Sequence, residues 1–119
     1  MPMINLQVSE SLSPEDKDNI AKELGRLINL MRGRSEKYLM LGIKDGFTHY
    51  LAGTKLERAA FMDLRLLGHE NEEGQEKFVV AAQASLSRLL NIPIGNIYTN
   101  ILEMPHWGAR GIYETAENF

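Results

Sequence analysis

Residues 2–8, PMINLQV, and residues 61–67, FMDLRLL, are the two stretches that decide the fold of this chain. In each stretch every second residue is apolar, a period of two that predicts a β-strand with one buried face. The two patterns coincide at an offset of sixty residues, so that Ile4 corresponds to Leu64 and Leu6 to Leu66. We therefore predict two equivalent strands, one in each half of the chain.

A helix is predicted after each of these strands. Ser13 is a suitable N-cap, Pro14 suits the first helical position, and Gly33 suits the helix end. In the second half a polar loop leads into the helix, and we expect the acidic residues 70–76 to form its solvated start. The apolar positions at helical spacing are Ile20, Leu24, Leu27, Ile28 and Met31 in the first helix and Val79, Ala82, Leu86, Leu89 and Leu90 in the second.

Two further strands complete the pattern, at residues 38–44, YLMLGIK, and at residues 97–103, IYTNILE. Each half then has the order strand, helix, strand. We predict two β-α-β repeats, at about 2–58 and 59–119, within a single domain that spans residues 1–119. Because such crossovers are right-handed, the expected fold is α+β (α/β), a four-stranded mixed sheet with both helices on one face.

The other face of this sheet is predicted to be uncovered. Its mixture of side chains is too apolar to lie wholly in water, which indicates that several copies associate through their sheets. By strand parity its members are Asn5, Gln7, Tyr38, Met40, Asp63, Arg65, Tyr98 and Asn100.

Composition excludes several classes of function. The 119 residues carry a net charge of -3, with 13 Lys and Arg scattered among 16 acids, which argues against a nucleic-acid partner. The chain has no cysteine and therefore no thiol chemistry. We expect no leader segment and no membrane span, hence a cytoplasmic protein. The histidines at 49, 69 and 106 are too far apart to predict a metal site, and we expect no cofactor.

The features in this order resemble the tautomerase superfamily, in its macrophage migration inhibitory factor (MIF) branch, over nearly the whole chain. Four motifs carry the resemblance. They are Met1-Pro2-Met3-Ile4, then Gly33-Arg34 followed by Tyr38, then Leu67-Gly68 at the end of the third strand, and Ile97-Tyr98-Thr99-Asn100 in the fourth.

The resemblance implies a homotrimer with active sites between neighbouring subunits. It implies that Pro2, freed as an N-terminal amine once Met1 is removed, is the catalytic base. Arg34 stands where the family usually has lysine, and Leu67 stands at an apolar position that lines the pocket. Tyr98 and Asn100 would reach in from the adjacent subunit.

The chemistry explains why such residue types are needed. Moving a proton between the carbon beside a carbonyl and an enol oxygen requires a base that is neutral near pH 7 and a cation that stabilises the enolate. An N-terminal amine in an apolar pocket meets the first demand. The guanidinium of Arg34 would meet the second. The expected substrate is a small α-keto acid such as phenylpyruvate, or its enol.

The sequence departs from the family in two places. The family's two-cysteine motif falls near Ala59 and Met62, which excludes thiol-oxidoreductase activity. Residues 105–113 also differ from the family's glycine-tryptophan-asparagine pattern. We expect Trp107 to replace the aromatic wall of the pocket, with Phe119 as an alternative apolar anchor.

Several alternatives stay open. The chain could be a superfamily hydratase, dehalogenase or decarboxylase of small acids, with Arg65, Arg110 and Glu114 as the additional groups, or a non-catalytic MIF-like signalling or binding trimer. Arg34 could simply be a cation at a helix end. Tyr98 and Asn100 could be interface residues, and Leu67 could be ordinary packing.

Overall fold

The structure is a computed structural model that describes residues 1–116. Two helices, α1 (Pro14–Leu27) and α2 (Glu72–Leu90), alternate with the strands of the main sheet. Short 3-10 turns lie between these elements. One follows α1 at Ile28–Leu30, one lies at Glu36–Tyr38 before the second strand, and one lies at Ile94–Asn96 before the sixth strand. The strands are β1 (Pro2–Val8), β2 (Met40–Lys44), β3 (His49–Leu51), β4 (Thr54–Leu56), β5 (Ala60–Leu67), β6 (Ile97–Met104), β7 (His106–Ala109) and β8 (Ile112–Thr115).

The main sheet has four strands in the order β2-β1-β5-β6. β1 runs parallel to β2, β5 runs parallel to β6, and the central pair β1 and β5 is antiparallel. Ile4, Leu6, Met62 and Leu64 of the central strands are fully buried beneath the helices, where they form one core with Phe78. The predicted fold, a mixed sheet with both helices on one face, is confirmed.

The pairing register is the same in both halves of the sheet. Met3 pairs with Met40, and the positions sixty residues later, Asp63 and Asn100, pair in the same way. Ile4 pairs with its own equivalent, Leu64. An approximate twofold axis therefore passes between these two side chains, at the centre of the sheet.

Each helix begins at the residue type that physical chemistry favours. The Ser13 hydroxyl accepts a hydrogen bond from the Asp16 amide, and the Asp16 carboxylate accepts one from the Ser13 amide, which forms a capping box. The side chain of Asn71 accepts a bond from the Gly74 amide at 2.7 Å. α1 ends at Leu27, earlier than Gly33, because the chain tightens into the first 3-10 turn before it reaches that glycine.

Two short hairpins, β3–β4 and β7–β8, lie outside the main sheet and were not predicted. Each has a two-residue loop with both residues at positive φ, Ala52-Gly53 in the first and Arg110-Gly111 in the second. Arg110 has φ 53°, a conformation that costs a residue with a side chain roughly 1–2 kcal/mol.

Within residues 1–116, neither helix combines the length and the apolar character that crossing a lipid bilayer requires.

Candidate active site

An open cavity of about 590 Å³ lies where β1 begins. Its walls come from the start of β1, the segment that leads into β2, and the β7–β8 hairpin, and Arg65 of β5 and Met104 of β6 complete them. The lining residues are Met1, Pro2, Met3, Lys37, Tyr38, Leu39, Met40, Arg65, Met104, His106, Trp107, Gly108, Ala109 and Arg110.

Pro2 is the first residue of β1 and is buried at the edge of this cavity. It pairs with Leu66 on β5, and the Leu67 amide donates a hydrogen bond to the Met1 carbonyl at 3.3 Å. The start of the chain is therefore held against the end of β5. In the form described, Met1 is joined to Pro2, so the Pro2 nitrogen belongs to a peptide bond.

The environment of this chain start favours an uncharged amine. The pKa of the Met1 ammonium group is lowered to about 6, chiefly by burial and then by the positive charge of Arg34. The Glu114 carboxylate acts in the opposite direction and raises this pKa. The Met1 amine is therefore mostly neutral at pH 7.

Arg34 lies beside the cavity and is not among its lining residues. Its side chain is fully buried, and its guanidinium donates to the Leu67 carbonyl at 2.9 Å and to the His69 carbonyl at 3.3 Å. Its Nε pairs with the Glu70 carboxylate at 3.2 Å. Arg34 thus fixes the loop that follows β5. Its positive charge also lowers the pKa of the Met1 amine.

Glu70 corrects one expectation. Residues 70–76 were expected to form a solvated helix start, but Glu70 is only 5% exposed because its carboxylate is the partner of the buried Arg34. The first acidic residues inside the helix, Glu72 and Glu73, are exposed as expected.

A second carboxylate, that of Glu103, supports the same loop from β6. It accepts hydrogen bonds from the Glu70 amide at 2.6 Å and from Gln75 at 3.3 Å, and it pairs with His69 at 2.9 Å. The Glu70 amide and then the His69 side chain hold the pKa of Glu103 below its ordinary value. The loop is therefore anchored on both sides.

The cavity is strongly cationic. Lys37, Arg65 and Arg110 line it, and none of its lining residues within the described part of the chain is acidic. Lys37 and Arg110 both contact the ring of Tyr38, at 5.4 Å and 4.9 Å from its centroid. Lys37 was missed by the sequence reasoning, although its position directly before Tyr38 was a usable signal.

Two predicted site residues lie close to Pro2. Trp107 is half-buried, lines the cavity and pairs with Glu114 across the β7–β8 hairpin. The Leu67 side chain is fully buried and does not line the cavity, but its amide and carbonyl contact Met1 and Arg34.

Tyr98 and Asn100 lie far from Pro2 within one chain. Pro2 lies level with Leu66, which pairs with Glu103, five residues along β6 from Tyr98. That separation corresponds to roughly 16 Å at the strand rise. Tyr98 is 59% exposed and lines a separate cavity of about 180 Å³ near the β3–β4 hairpin. One chain alone does not bring these two residues to the cavity at Pro2.

Phe119, the alternative apolar anchor, lies outside the described residues. In the range 1–116, no three His, Asp or Glu side chains are grouped so as to hold a metal ion.

The sequence matches no protein-family model and no curated protein sequence. Solved structures do resemble the chain. Leishmania major MIF2 has a TM-score of 0.88 at 21% identity, over 96% of this chain and 97% of that one. The structure of Pt0534 inactivated by 2-oxo-3-pentynoate has a TM-score of 0.82 at 18% identity, over 98% of both chains. A fused 4-OT symmetric trimer has a TM-score of 0.84 at 18% identity, over 98% of this chain and 99% of that one.

These identities are low, so the likeness establishes the fold. The chain has the fold of MIF and 4-OT structures, and the resemblance to the MIF-like tautomerases is confirmed at that level.

Proposed function

We propose that this chain, with the fold of the MIF-like tautomerases, is a keto–enol tautomerase that acts on a small α-keto acid such as phenylpyruvate. Pro2 is the general base once Met1 has been removed. The observation that carries the proposal is the position of the chain start: Pro2 lies buried at the edge of a cationic cavity, and burial and the charge of Arg34, which lower the pKa of the neighbouring Met1 amine, act on this place.

In the proposed reaction the neutral Pro2 nitrogen takes a proton from the carbon beside the keto group. The electrons of that C–H bond form the enolate, and a cation of the cavity, Arg65 or Lys37, stabilises the developing oxyanion. The proton then passes from the proline to the enolate oxygen. The reverse sequence converts the enol into the keto acid without any other reactant.

Removal of Met1 also takes away the hydrogen-bond acceptor of the Leu67 amide. The Leu67 amide now donates to the Met1 carbonyl, and without Met1 this donor is available to the carboxylate of the substrate. Leu67 then binds substrate through its backbone. Arg34 contributes through its charge and through the loop that it fixes, and Trp107 forms the aromatic wall.

We propose further that three copies form a homotrimer and that Tyr98 and Asn100 complete the cavity of a neighbouring subunit. Met40, Tyr98 and Leu102 are exposed large apolar residues on the open sheet face. Covering this face would remove them from water. The fused 4-OT neighbour is itself described as a trimer.

The test starts with the state of the chain end. An intact mass without Met1 is expected, together with ketonisation of phenylenolpyruvate by the purified protein. Pro2→Ala should reduce kcat at least a hundredfold, because a positioned base contributes about that factor. Pro14→Ala is the matched control, since Pro14 begins α1 and lies outside the cavity.

A covalent probe tests the amine directly. 2-Oxo-3-pentynoate, the reagent that inactivates the neighbour Pt0534, should add the mass of one molecule to the peptide that begins at Pro2. Conjugate addition of the amine to the triple bond accounts for that mass, with the proton transferred to carbon. Full activity of Pro2→Ala, or Met1 retained in active native protein, would contradict the mechanism. An intact trimer without activity or labelling would favour a binding protein.

Glu114 favours one second candidate, a hydratase, dehalogenase or decarboxylase of small acids. Its carboxylate is close enough to the chain start to raise the pKa of the amine there, and Arg65 and Arg110 line the same cavity. A carboxylate beside such an amine could activate water. Turnover of 3-haloacrylate or malonate semialdehyde that is lost in Glu114→Gln would identify this activity.

A further inference from the structure

The methionines of this chain are divided between the core and a single cavity. The chain has six methionines and no cysteine, so thioethers are its only sulfur groups. Met31 and Met62 are fully buried in the core. The other four line the cavity at the start of β1; they are Met1, Met3, Met40 and Met104. Every thioether outside the core therefore borders this cavity.

We propose that this cavity is an oxidation site, where a peroxide converts the thioethers of Met3 and Met40 into sulfoxides and reversibly lowers the activity. The loss of activity rests on the proposed tautomerase function, whereas the place of modification does not. In the reaction the sulfur lone pair forms the new S–O bond and the O–O bond breaks. The second oxygen of hydrogen peroxide leaves as water with both protons, so the sulfur is oxidised and the peroxide is reduced.

Exposure separates the two groups of methionines. Met40 is 67% exposed in one chain, and Met3 and Met104 are partly exposed. Met31 and Met62 have no exposed surface, so their sulfur atoms react only when the protein opens locally. The substrate of the proposed reaction must enter the cavity. A peroxide is smaller and therefore reaches the same side chains.

Met3 lies between a second thioether and a cation. In the sheet it is level with Met40 on β2 and with Arg65 on β5. Paired residues of neighbouring strands point to the same face, with Cβ atoms roughly 5 Å apart. A sulfoxide oxygen at Met3 therefore lies within reach of the Arg65 guanidinium, which can donate a hydrogen bond to it.

The capture of Arg65 by a sulfoxide lowers the activity for an electrostatic reason. Arg65 lines the cavity and is one of the cations that stabilise the oxyanion in the proposed reaction. Its guanidinium already lies 3.3 Å from the Asp63 carboxylate. A second acceptor at Met3 leaves fewer of its N–H groups for the substrate. The sulfoxide also makes an apolar part of the cavity wall polar.

Graded treatment of the purified protein with hydrogen peroxide tests the modification, with the sulfoxides located by mass mapping of peptides. Met3 and Met40 should gain oxygen at least about ten times faster than Met31 and Met62, because the core residues require opening of the protein. Ketonisation of phenylenolpyruvate should fall about tenfold as these sulfoxides form, the effect of one lost charge-assisted hydrogen bond. The two methionine sulfoxide reductases with a dithiol should restore the activity, since the oxygen leaves as water and the dithiol becomes a disulfide.

A double variant connects the loss of activity to these two thioethers. Met3→Leu with Met40→Leu removes both sulfur atoms and nearly conserves side-chain volume. The activity after peroxide is compared with that of the same variant before treatment, and it should stay within about twofold because leucine cannot form a sulfoxide. Met31→Leu is the matched control in the core and should lose activity as the wild type does.

Two results would overturn the inference. One is oxidation of core and cavity methionines at equal rates in the folded protein, and the other is an equal loss of activity in the wild type and the double variant. If the protein shows no ketonisation at all, the tautomerase proposal fails, and calorimetric titration with phenylpyruvate replaces the activity assay. Binding that oxidation weakens and reduction restores would then support the inference, and unchanged binding would reject it.

Discussion

The two β-α-β units share their strand register and differ in the surroundings of their first strands. In the first unit, β1 begins at Pro2 beside an open cavity. The equivalent of Pro2 in the second unit is Met62, which is fully buried within β5. The same architecture thus places the first residue of β1 at a cavity and the equivalent residue of β5 in the core.

The loops after β1 and β5 show the same asymmetry. Glu70 follows β5 and is paired with the buried Arg34. Its equivalent after β1 is Glu10, whose Oε1 atom is buried without a hydrogen-bond partner within residues 1–116. The position equivalent to Arg34 is Ile94, which is exposed. Only one unit has an arginine at this position, and that arginine fixes the loop after β5 beside the cavity.

The largest effect on stability is expected when Arg34, which distinguishes the two units, is replaced. Arg34→Met leaves Glu70 buried without its cation and should lower the free energy of unfolding by about 3–5 kcal/mol. The equivalent change in the second unit, Ile94→Met, should stay within about 0.5 kcal/mol because Ile94 is 56% exposed. Urea unfolding monitored by circular dichroism measures both values.

A double variant sharpens this comparison. Adding Glu70→Leu to Arg34→Met removes the unpaired charge and should recover part of the loss. If Arg34→Met and Ile94→Met cost the same, the buried pair does not distinguish the units.

The next largest effect on stability is expected at the two residues beside the approximate twofold axis. Ile4 and Leu64 are both fully buried and pair with each other at the centre of the sheet. Ile4→Ala and Leu64→Ala should each cost about 3 kcal/mol, within the range for buried aliphatic truncations. Unfolding midpoints that differ strongly between the two variants would show that the centre of the sheet is not symmetric in energy.

The two helix N-caps allow the units to be compared through a smaller change in stability. Ser13→Ala and Asn71→Ala each remove a side-chain acceptor at a helix start. Each should destabilise the protein by about 1 kcal/mol. Thermal unfolding checks this, with Ser11→Ala as a control at an exposed loop position. A cost confined to one helix would mean that only one cap contributes.

The last comparison concerns pH and belongs to the first unit alone. The pKa of the Met1 amine is lowered to about 6 from its ordinary value of 8.0. Between these values the unfolded chain binds more protons, so stability should rise as pH increases through this window. Unfolding of the form that carries Met1, compared with its N-acetylated counterpart, isolates the slope. Equal slopes would contradict the pKa shift.

Much of the main sheet was predictable because buried apolar residues alternate with less buried residues along its central strands. Residues 2–8 and 61–67 lie within one residue of the observed β1 and β5. The residues predicted at 38 and 39 lie outside β2, in and after a 3-10 turn that Ser35 caps. The β3–β4 and β7–β8 hairpins escaped prediction because their strands have three or four residues and their turns contain Ala52 and Arg110 where Asn or Gly is typical.

The site was less predictable than the sheet. Pro2 and Trp107 were assigned from motif position, and the structure places both at one cavity. The burial of Arg34 was not foreseen, because its partner Glu70 is distant in sequence and lies in a stretch that looks solvated. Tyr98 and Asn100 lie at the other end of β6, where an intermolecular role cannot be deduced from one chain.

At the turn formed by Arg110 and Gly111, the residue that suits the backbone differs from the residue that is present. An asparagine or glycine there would relax the left-handed backbone, whereas the arginine places its guanidinium over Tyr38 at the cavity. A laboratory selection that rewards heat resistance alone should therefore replace this arginine, whereas one that rewards the proposed tautomerase activity should retain its positive charge at the cavity. The amino acid at this single position would then report which pressure was the stronger.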